Sequence, residues 1–170
     1  MFLLGLGSNL PSSFGDRFEN LNLATSYLEA YQIKIIKRSS FYETPSYPDI
    51  KNPKFINILV EVSTYLSPED LASVLIFVEE KLERKRIKEN EPRTCDIDII
   101  DYNGKVLDFT YKSLIFKVPH EKLIYRNFVL FPLREIAPKW VHPKTKDSID
   151  ELIKKLPNQE KKSILKIAKS

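Results

Sequence analysis

The order in which strand-like and helix-like stretches follow one another limits the fold of this chain more than any other feature. Apolar or alternating runs predict strands at 2–8, 33–42, 55–64 and 95–102. A first helix is predicted from about 14 to 29. A second begins at Ser67-Pro68, where serine caps the N-terminus and proline fits the first turn. The predicted order of the core is therefore β-α-β-β-α-β.

This is the order of a ferredoxin-like sandwich, in which helices pack on an antiparallel sheet. Ile115–Val118 could add a short edge strand, and a short helix is predicted at 127–136. A last helix starts at the capping box Ser148-x-x-Glu151 and continues to about Leu156. We therefore expect an α+β fold with extra C-terminal helices.

The size and composition of the chain are those of one globular domain. We predict a single domain over residues 1–170, with a core at about 2–140 and a C-terminal helix and tail at about 148–170. The net charge of +4 favours a small anionic ligand about as much as nucleic acid. A single cysteine, Cys95, excludes an internal disulfide framework and indicates a reducing compartment. The N-terminal apolar run is too short for a signal peptide or a membrane span, so we expect a cytoplasmic protein.

Two acidic residues occupy the last predicted strand of the core. Asp96 and Asp98 are two residues apart, so both side chains point to one face of the strand. Neighbouring carboxylates repel one another unless a cation lies between them, and Mg²⁺ commonly binds one or two protein carboxylates together with substrate phosphates. The pair predicts a metal site for phosphoryl transfer. The spacing alone also fits a solvated strand edge.

Basic residues are dense between the second helix and this strand. Arg84, Arg86 and Arg93 precede the two acids, with Lys85 and Lys88 between them. Such a mixture is expected where arginine and metal ions together bind a triphosphate. A solvated helix end is the alternative interpretation of the same residues.

Further candidate binding residues lie elsewhere in the chain. His120 and Arg126 could both donate to one anionic ligand. Phe55 and Asn57 share one face of the third strand, where a ring and an amide could bind a flat heterocycle. Ordinary strand packing is the better explanation of that pair taken alone. The turn at 5–10 lacks the third glycine of the dinucleotide fingerprint, and no Walker sequence is present.

Over roughly residues 3–145 the chain resembles the 6-hydroxymethyl-7,8-dihydropterin pyrophosphokinase family of folate biosynthesis. The similar blocks follow one another in the same order, and the Pro-Arg-Thr-x-Asp-x-Asp-Ile element is the most specific of them. The blocks are Gly5-Leu6-Gly7-Ser8-Asn9-Leu10, Ser40-Phe41-Tyr42-Glu43-Thr44-Pro45, Phe55-Ile56-Asn57, Pro92-Arg93-Thr94-Cys95-Asp96-Ile97-Asp98-Ile99, Val118-Pro119-His120, Arg126-Asn127-Phe128 and Pro132-Leu133-x-Glu135-Ile136-Ala137-Pro138.

Members of this family transfer the β,γ-pyrophosphoryl group of ATP to the pterin hydroxymethyl oxygen and release AMP. The resemblance implies two Mg²⁺ ions held by Asp96 and Asp98, with these aspartates, Arg84 and Arg93 as catalytic residues. The ATP-binding residues that it implies are Glu79, Arg84, Arg86, Arg93, Ile99, His120 and Arg126. The pterin-binding residues that it implies are Gly7, Ser8, Thr44, Pro45, Phe55, Asn57 and Phe128. We expect a monomer whose partners are ATP and the pterin, without nucleic acid or membrane.

The chain departs from the family pattern at three places. Phe55 stands where many relatives carry tyrosine, Asn90-Glu91 stands where they carry Trp-Gly, and Glu121 replaces an aromatic residue. The loop Arg84–Glu91 therefore lacks a lid aromatic. We expect this charged loop to be mobile without nucleotide and to become ordered when Mg-ATP supplies counter-charge.

Two other classes of protein remain alternatives. An RRM-type RNA-binding module has the same element order, but its aromatic signature is absent from the third strand, and paired aspartates would repel a phosphate backbone. A nucleotidyl- or glycosyltransferase could also use Asp-x-Asp with Mg²⁺. Product analysis separates the enzymes, because pyrophosphoryl transfer leaves AMP, a kinase leaves ADP and nucleotidyl transfer leaves pyrophosphate.

Overall fold

A computed structural model describes residues 1–168. Its elements are β1 (Phe2–Ser8), α1 (Arg17–Ala30), β2 (Lys34–Arg38), β3 (Phe41–Thr44), β4 (Phe55–Ser63), α2 (Pro68–Lys81), β5 (Asp96–Tyr102), β6 (Leu107–Tyr111), β7 (Leu114–Val118), a 3-10 turn (Leu123–Tyr125), α3 (Asn127–Ile136), α4 (Ile149–Lys155), α5 (Asn158–Lys162) and β8 (Leu165–Ile167). None of the helices within residues 1–168 is long and apolar enough to cross a membrane.

The main sheet has the strand order β5-β1-β4-β3-β8, and β2 also pairs with β4. All of these pairings are antiparallel. The helix α1 links β1 to β2, and α2 links β4 to β5, so the two helices that cross the sheet pack side by side. This is the predicted ferredoxin-like α+β fold, which the structure confirms together with the additional C-terminal helices.

Helix starts follow the capping residues. The carboxylate of Asp16 accepts a hydrogen bond from the Glu19 backbone N–H, so α1 begins at Arg17 rather than at the predicted residue 14. The hydroxyl of Ser67 accepts from the Asp70 N–H at 3.1 Å, and α2 begins at Pro68 as predicted. Each cap binds an N–H group that has no partner inside the helix.

The strand predicted at 33–42 is wrong as a single element, because Ser39 divides it into β2 and β3. The Ser39 N–H donates to the Leu59 carbonyl, and the Ser39 hydroxyl accepts from the Leu59 N–H, both at 2.9 Å. A side-chain oxygen thus replaces a backbone carbonyl in the ladder with β4, and the chain bends while its hydrogen bonds stay satisfied.

The edge strand predicted at Ile115–Val118 belongs to β7, but it does not extend the main sheet. It pairs with β6 in a separate two-stranded sheet. The turn between them places Lys112 and Ser113 at φ values of 48° and 64°. Two residues with positive φ suit the twist of a hairpin, but Asn-Gly is the usual sequence for it. Lys-Ser gave no such signal, so β6 was not predicted.

Two cores lie on opposite faces of the main sheet. Leu4 and Leu6 of β1 pack with α1 and α2, whereas Leu3 of the same strand packs with α3, α4 and Trp140. The Trp140 indole N–H donates to Asp101 on β5 at 2.7 Å, which fixes the second layer to the sheet. Asp96 and Asp98 of β5 and Asn57 of β4 lie on this second face, whereas Glu79 comes from α2, which packs on the first.

The chain returns to the sheet after the last predicted helix. The capping box of α4 forms, with the Ser148 hydroxyl accepting from the Glu151 N–H at 3.2 Å. The short helix α5 follows, and β8 then pairs with β3, with Phe41 opposite Ile167. No strand was predicted in this segment, because a three-residue strand is too short for its alternation to be recognised.

Candidate active site

The two aspartates of β5 lie on the sheet face that α3 covers. Asp96 is paired with Gly7 and Asp98 with Gly5 on β1. Ile99, which points to the opposite face of β5, lies in the core beneath α1 and α2. Both carboxylates are partly exposed, with 26% and 44% of their side-chain surface accessible. The alternation expected from their spacing is therefore present, and it leaves both acids open to a ligand.

Arginine side chains supply the counter-charge for both acids. Arg84 Nη1 lies 3.0 Å from Asp96 Oδ1, and Arg93 Nε lies 3.2 Å from Asp96 Oδ2. Burial alone would raise the pKa of Asp96, but Arg93 and Arg84 hold it below its ordinary value. Arg126 is 3.8 Å from Asp98. Burial and the charge of Asp96 raise the pKa of Asp98 to about 6, so Asp98 is the less compensated of the two.

Glu79 of α2 lies beneath these charges and is 2% exposed. Its carboxylate accepts from Arg84 at 2.8 Å, from the Ile97 N–H at 2.8 Å and from Arg86. Burial and the nearby Asp96 raise its pKa to about 7, although both arginines oppose that shift. Glu79 therefore holds two cationic side chains in place beside the sheet edge.

A cavity of about 170 Å³ opens beside this edge, between α2, β5 and β7. Apolar side chains line one part of it and charged or polar side chains line the other. The apolar part includes Leu75, Ile76, Ile115 and Phe116, and the polar part includes Glu79, Arg86, Asp96, Asp98, Lys117 and His120. The predicted residue Ile99 also lines it. Such a division suits a ligand with an apolar ring at one end and several negative charges at the other.

Sequence reasoning missed most of the apolar part of this cavity. Ile115, Phe116 and Lys117 enter it because the β6–β7 hairpin folds back beside β5, and Ile76 is on the helix face next to Glu79. The i, i+3 spacing of Ile76 and Glu79 could have indicated a shared face. Nothing local in the sequence indicated that the hairpin would complete the wall.

His120 follows β7 and faces the same cavity. Its Nδ1 accepts from the Lys122 backbone N–H at 3.0 Å. Burial and the charge of Arg126 lower its pKa, which favours the neutral ring. Because Nδ1 is an acceptor, the proton of the neutral ring is on Nε2, which is available to donate to an anionic ligand.

The other candidate pocket forms where β3, β4 and β1 lie side by side. Thr44 is paired with Phe55, and Asn57 is paired with Gly7. The Asn57 amide donates to the Thr44 hydroxyl at 3.1 Å, which fixes its orientation. A Cβ atom at Gly7 would lie 2.8 Å from the Asn57 side-chain oxygen. Glycine is therefore required at that position if Asn57 is to face outward in this way.

Two arginines connect the acids of β5 to aromatic rings. The Arg93 guanidinium lies 5.0 Å from the centre of the Phe55 ring, and the Arg126 guanidinium lies 5.6 Å from that of Phe128. Each of these arginines is also paired with an aspartate of β5. The phosphate-binding candidates and the ring-binding candidates therefore touch one another directly.

The predicted residues Ser8 and Pro45 contribute less directly. The Ser8 side chain is bonded on the α1 side, where its hydroxyl donates to the Leu10 carbonyl and accepts from the Asn20 amide. The structure therefore does not bring that hydroxyl to Asn57. Pro45 directly follows Thr44, the last residue of β3.

Asn9, which was not predicted as a site residue, connects three loops at this end of the sheet. It is 2% exposed. Its N–H and side-chain oxygen bond the backbone of Arg93, at 3.0 and 2.7 Å. Its amide nitrogen donates to the Ser46 hydroxyl and the Pro53 carbonyl, both at 3.1 Å. The position of Arg93 is therefore linked to the loop that follows Thr44.

The loop Arg84–Glu91 is only partly free. Arg84 and Arg86 are held by Glu79, as described above. Before them, Glu83 accepts from the Ser13 N–H and hydroxyl at 2.6 and 2.7 Å. Ile87, by contrast, is 75% exposed. The expectation that the cations of this loop lack counter-charge is thus wrong for the two arginines. Glu79 pairs with both of them, and Asp96 also pairs with Arg84.

The donor set for a divalent metal consists of Asp96 and Asp98. Within residues 1–168, no group of three or more histidine, cysteine, aspartate or glutamate side chains could hold a metal ion. Two carboxylate oxygens on one exposed face fit the small number of protein ligands that Mg²⁺ takes when substrate phosphates complete its coordination. The residues present therefore fit such an ion together with a phosphate-bearing ligand.

Comparison with known proteins shows which family has a similar sequence. Residues 3–138 match the family model of 7,8-dihydro-6-hydroxymethylpterin-pyrophosphokinase (HPPK). A 2-amino-4-hydroxy-6-hydroxymethyldihydropteridine pyrophosphokinase of Methylorubrum extorquens is 39% identical over 140 residues, covering 81% of this chain and 83% of the relative. One of Synechocystis sp. is 34% identical over 155 residues, covering 91% of this chain and 75% of the relative.

Other relatives are much longer. The folic acid synthesis protein fol1 of Schizosaccharomyces pombe is 34% identical over 157 residues, which cover 92% of this chain but only 20% of that protein. A crystal structure of Plasmodium falciparum HPPK-DHPS aligns with a TM-score of 0.73 at 18% identity, covering 98% of this chain and 47% of that one; this likeness concerns the fold. On its sequence match over residues 3–138, the chain belongs to the HPPK family.

Proposed function

We propose that this protein transfers the pyrophosphoryl group of ATP to 6-hydroxymethyl-7,8-dihydropterin, as a step of folate biosynthesis. One observation carries the proposal: Gly7 of β1 is paired with Asp96 on one side and with Asn57 on the other. Asp96, which could bind a metal that also binds phosphate, and Asn57, which could bind the edge of a heterocycle, thus lie two strands apart on one face of the sheet. That separation is about 10 Å, which is the scale of a small heterocycle beside a phosphate chain.

ATP is proposed to occupy the cavity beside β5. Its base would contact the apolar part, near Ile76 and Ile115, and its phosphates would extend toward Asp96 and Asp98. The proposed ATP-binding residues are Glu79, Arg84, Arg86, Arg93, Ile99, His120 and Arg126. Of these, Glu79 acts by holding Arg84 and Arg86 rather than by meeting a phosphate, because its oxygens already accept bonds from both.

The pterin is proposed to bind between the Phe55 and Phe128 rings, with Asn57 and Thr44 reading its edge. Gly7 leaves room beside Asn57, and the backbone of Ser8 and Pro45 completes the border. An aromatic pair suits a flat bicyclic ring, and an amide already oriented by Thr44 loses little entropy on binding it. Arg93 and Arg126, which lie over the two rings, would turn toward the triphosphate when both ligands are bound.

Asp96 and Asp98 are proposed to hold Mg²⁺, and two ions are expected. When bound, the metal would neutralise phosphate charge and make the pterin hydroxyl easier to deprotonate. The protein side chains then have mainly to position the reactants. The pterin hydroxyl gives up its proton to solvent as its oxygen forms a bond to the β-phosphorus, the bond from that phosphorus to the α–β bridging oxygen breaks, and AMP leaves with that oxygen. Arg84 and Arg93 stabilise the charge that moves during the transfer.

We further propose that the chain forms one domain, that the enzyme is a monomer and that it acts in the cytoplasm. The α3–α4 layer supports the single domain, since its core includes Leu3, Leu59 and Ile100 from three neighbouring strands of the main sheet, β1, β4 and β5. The single cysteine, Cys95, is buried and reduced, which suits a reducing compartment. Sedimentation of the purified protein tests the monomer.

The direct test is to incubate the protein with ATP, Mg²⁺ and the hydroxymethyl dihydropterin and to identify the nucleotide product. We expect AMP in equal amount to the pterin diphosphate, with no turnover in EDTA. ADP would indicate an ordinary kinase, and pyrophosphate would indicate nucleotidyl transfer, so either product would refute the proposal.

A further inference from the structure

The segment formed by α5 and β8, residues 158–167, contacts both walls of the proposed pterin pocket. On one side β8 pairs with β3, with Glu43 opposite Leu165 and Tyr42 opposite Lys166. The strand β3 ends one residue later at Thr44, which orients Asn57. The family match ends at residue 138, so membership in the family assigns this segment no role.

On the other side the segment is bonded to the first residue of α3. Asn127 is 3% exposed, and its amide nitrogen donates to the Glu160 carbonyl at 2.8 Å and to the Ser163 hydroxyl at 3.2 Å. The Ser163 hydroxyl also donates to the Glu160 carbonyl at 3.4 Å. The last turn of α5 is thus closed by a buried side chain that comes from another element.

Asn127 stands between two residues of the proposed site. Arg126 precedes it and reaches Asp98, and Phe128 follows it and bears the second aromatic ring. The helix α3 has no side-chain N-cap at Arg126. The position of its first turn therefore depends on other contacts. These include the hydrogen bonds from the buried Asn127 side chain to the end of α5. A second link lies farther along α3, where Lys166 of β8 is 3.0 Å from Glu135.

From these contacts we infer that Asn127 is a positioning residue for pterin binding, and that it acts by fixing the start of α3 to the α5–β8 segment. This inference rests on the proposed function. The segment bridges β3, which is paired with the Phe55-bearing strand β4, and the helix α3, which begins beside Phe128. We infer that it thereby sets the gap between the Phe55 and Phe128 rings. Glu79, Arg84 and Arg86 lie at the opposite edge of the sheet, on or just after α2. Of the proposed ATP-binding residues, Arg126 alone adjoins Asn127 at the start of α3, so loss of the bridge should affect the pterin more than ATP.

The test compares Asn127→Ala with Asn158→Ala, an exposed asparagine of α5 that serves as the matched control. We expect Asn127→Ala to weaken the affinity for the pterin about tenfold, the loss of two buried hydrogen bonds, and to change ATP affinity less than about twofold. Asn158→Ala should leave both affinities unchanged. Ser163→Ala removes one of the two acceptors of the Asn127 amide, together with the long bond from the Ser163 hydroxyl to the Glu160 carbonyl. It should give a smaller loss of about threefold and serves if Asn127→Ala does not fold.

Hydrogen exchange supplies a readout that a purely structural role would not move. If the segment and the pterin stabilise one another, binding of the pterin must slow exchange of the amides at 163–167. That slowing should be present in the full-length wild-type chain and absent in Asn127→Ala. Equal losses of pterin and ATP affinity, or unchanged pterin affinity in a folded Asn127→Ala or Ser163→Ala protein, would overturn the inference. Failure of the wild-type protein to bind the pterin would instead overturn the proposed function.

Discussion

At the proposed nucleotide end of the candidate site, oppositely charged side chains pair with one another, whereas at the proposed pterin end strand pairing and neutral hydrogen bonds hold the side chains. Arg84, Arg86 and Arg93 are each paired with Glu79 or Asp96. Asn57, by contrast, is oriented by Thr44 on the neighbouring strand. The phosphates of a ligand must therefore compete with protein carboxylates for the arginines at one end, whereas the Asn57 side chain at the other end is already oriented before a ligand binds.

This difference predicts different sensitivities at the two ends. Substitutions that change charge should act mainly through ATP and the transfer step. Substitutions that change shape or a neutral hydrogen bond should act mainly through the pterin. Arg93 and Arg126 are the exceptions, since each touches both an aspartate and an aromatic ring.

The largest effect is expected from the two aspartates. Asp96→Asn and Asp98→Asn should each lower turnover by about a thousandfold, because the proposed Mg²⁺ loses a carboxylate ligand and the phosphates lose the positive charge that it would supply. Steady-state AMP formation at saturating Mg²⁺ measures this, with the exposed Asp108→Asn on β6 as control. Near-normal turnover in either variant would refute the metal assignment.

The same two variants should differ in stability. Asp96→Asn should lower the free energy of unfolding, because Arg84 and Arg93 lose the negative charge of the carboxylate with which both are paired. The pKa of Asp98 is raised from 3.8 to about 6. Because the pKa is higher in the folded state, stability is lost as the pH rises from 3.8 to about 6. Asp98→Asn avoids this loss, so it should hold or raise the unfolding free energy at pH 7. Urea titrations without metal at pH 7 measure both; a loss in Asp98→Asn that equals the loss in Asp96→Asn would contradict the charge balance described here.

Next in size is the effect of Asn57→Ala on pterin binding. Removing a buried, oriented amide should weaken pterin affinity by about 1–3 kcal/mol and leave ATP affinity nearly unchanged. Thr44→Val, which removes only the acceptor that orients Asn57, should cost less. Calorimetric titration with each ligand separates the two affinities, and equal losses for both ligands would show that this face does not bind the pterin.

A smaller effect is expected from Glu79→Gln. The amide keeps a hydrogen bond but loses the charge that holds Arg84 and Arg86, so ATP affinity should fall about fivefold while pterin affinity stays constant. Because burial raises the pKa of Glu79 from 4.5 to about 7, its ionisation costs folding stability at pH 7, and removing that cost offsets the weaker bonds to the two arginines. The free energy of unfolding should therefore change by less than about 1 kcal/mol at pH 7. Its exposed neighbour on the same helix, Glu80→Gln, is the matched control. Loss of pterin affinity in Glu79→Gln would break the proposed division between the two ends.

The smallest effect concerns the loop that begins at Arg84. Because Arg84 and Arg86 are already held, Mg-ATP should slow hydrogen exchange mainly at residues 87–91. ATP affinity should fall only about threefold as the salt concentration rises tenfold, since partly buried pairs are weakly screened. Unchanged exchange together with salt-independent affinity would show that this loop does not take part in binding.

The sequence alone determined those features that depend on neighbouring residues. Alternation and capping predicted the order of β1, α1, β4, α2 and β5, and the Asp-x-Asp spacing predicted two acids on one face. Such signals are local, because side-chain direction repeats every two residues in a strand and the N-cap bonds within one turn.

Tertiary structure decided which distant residues meet. The Ser39 bend, the β6–β7 hairpin and β8 depend on partners far along the chain, and none of them has a strong local signal. The pairing of Glu79 with two arginines likewise follows from where α2 packs on the sheet. The sequence near Asn127 indicates only a helix residue, because its hydrogen-bond partners Glu160 and Ser163 are 33 and 36 residues away along the chain. A polar group acquires a role of this kind only when burial removes water and a partner takes its place.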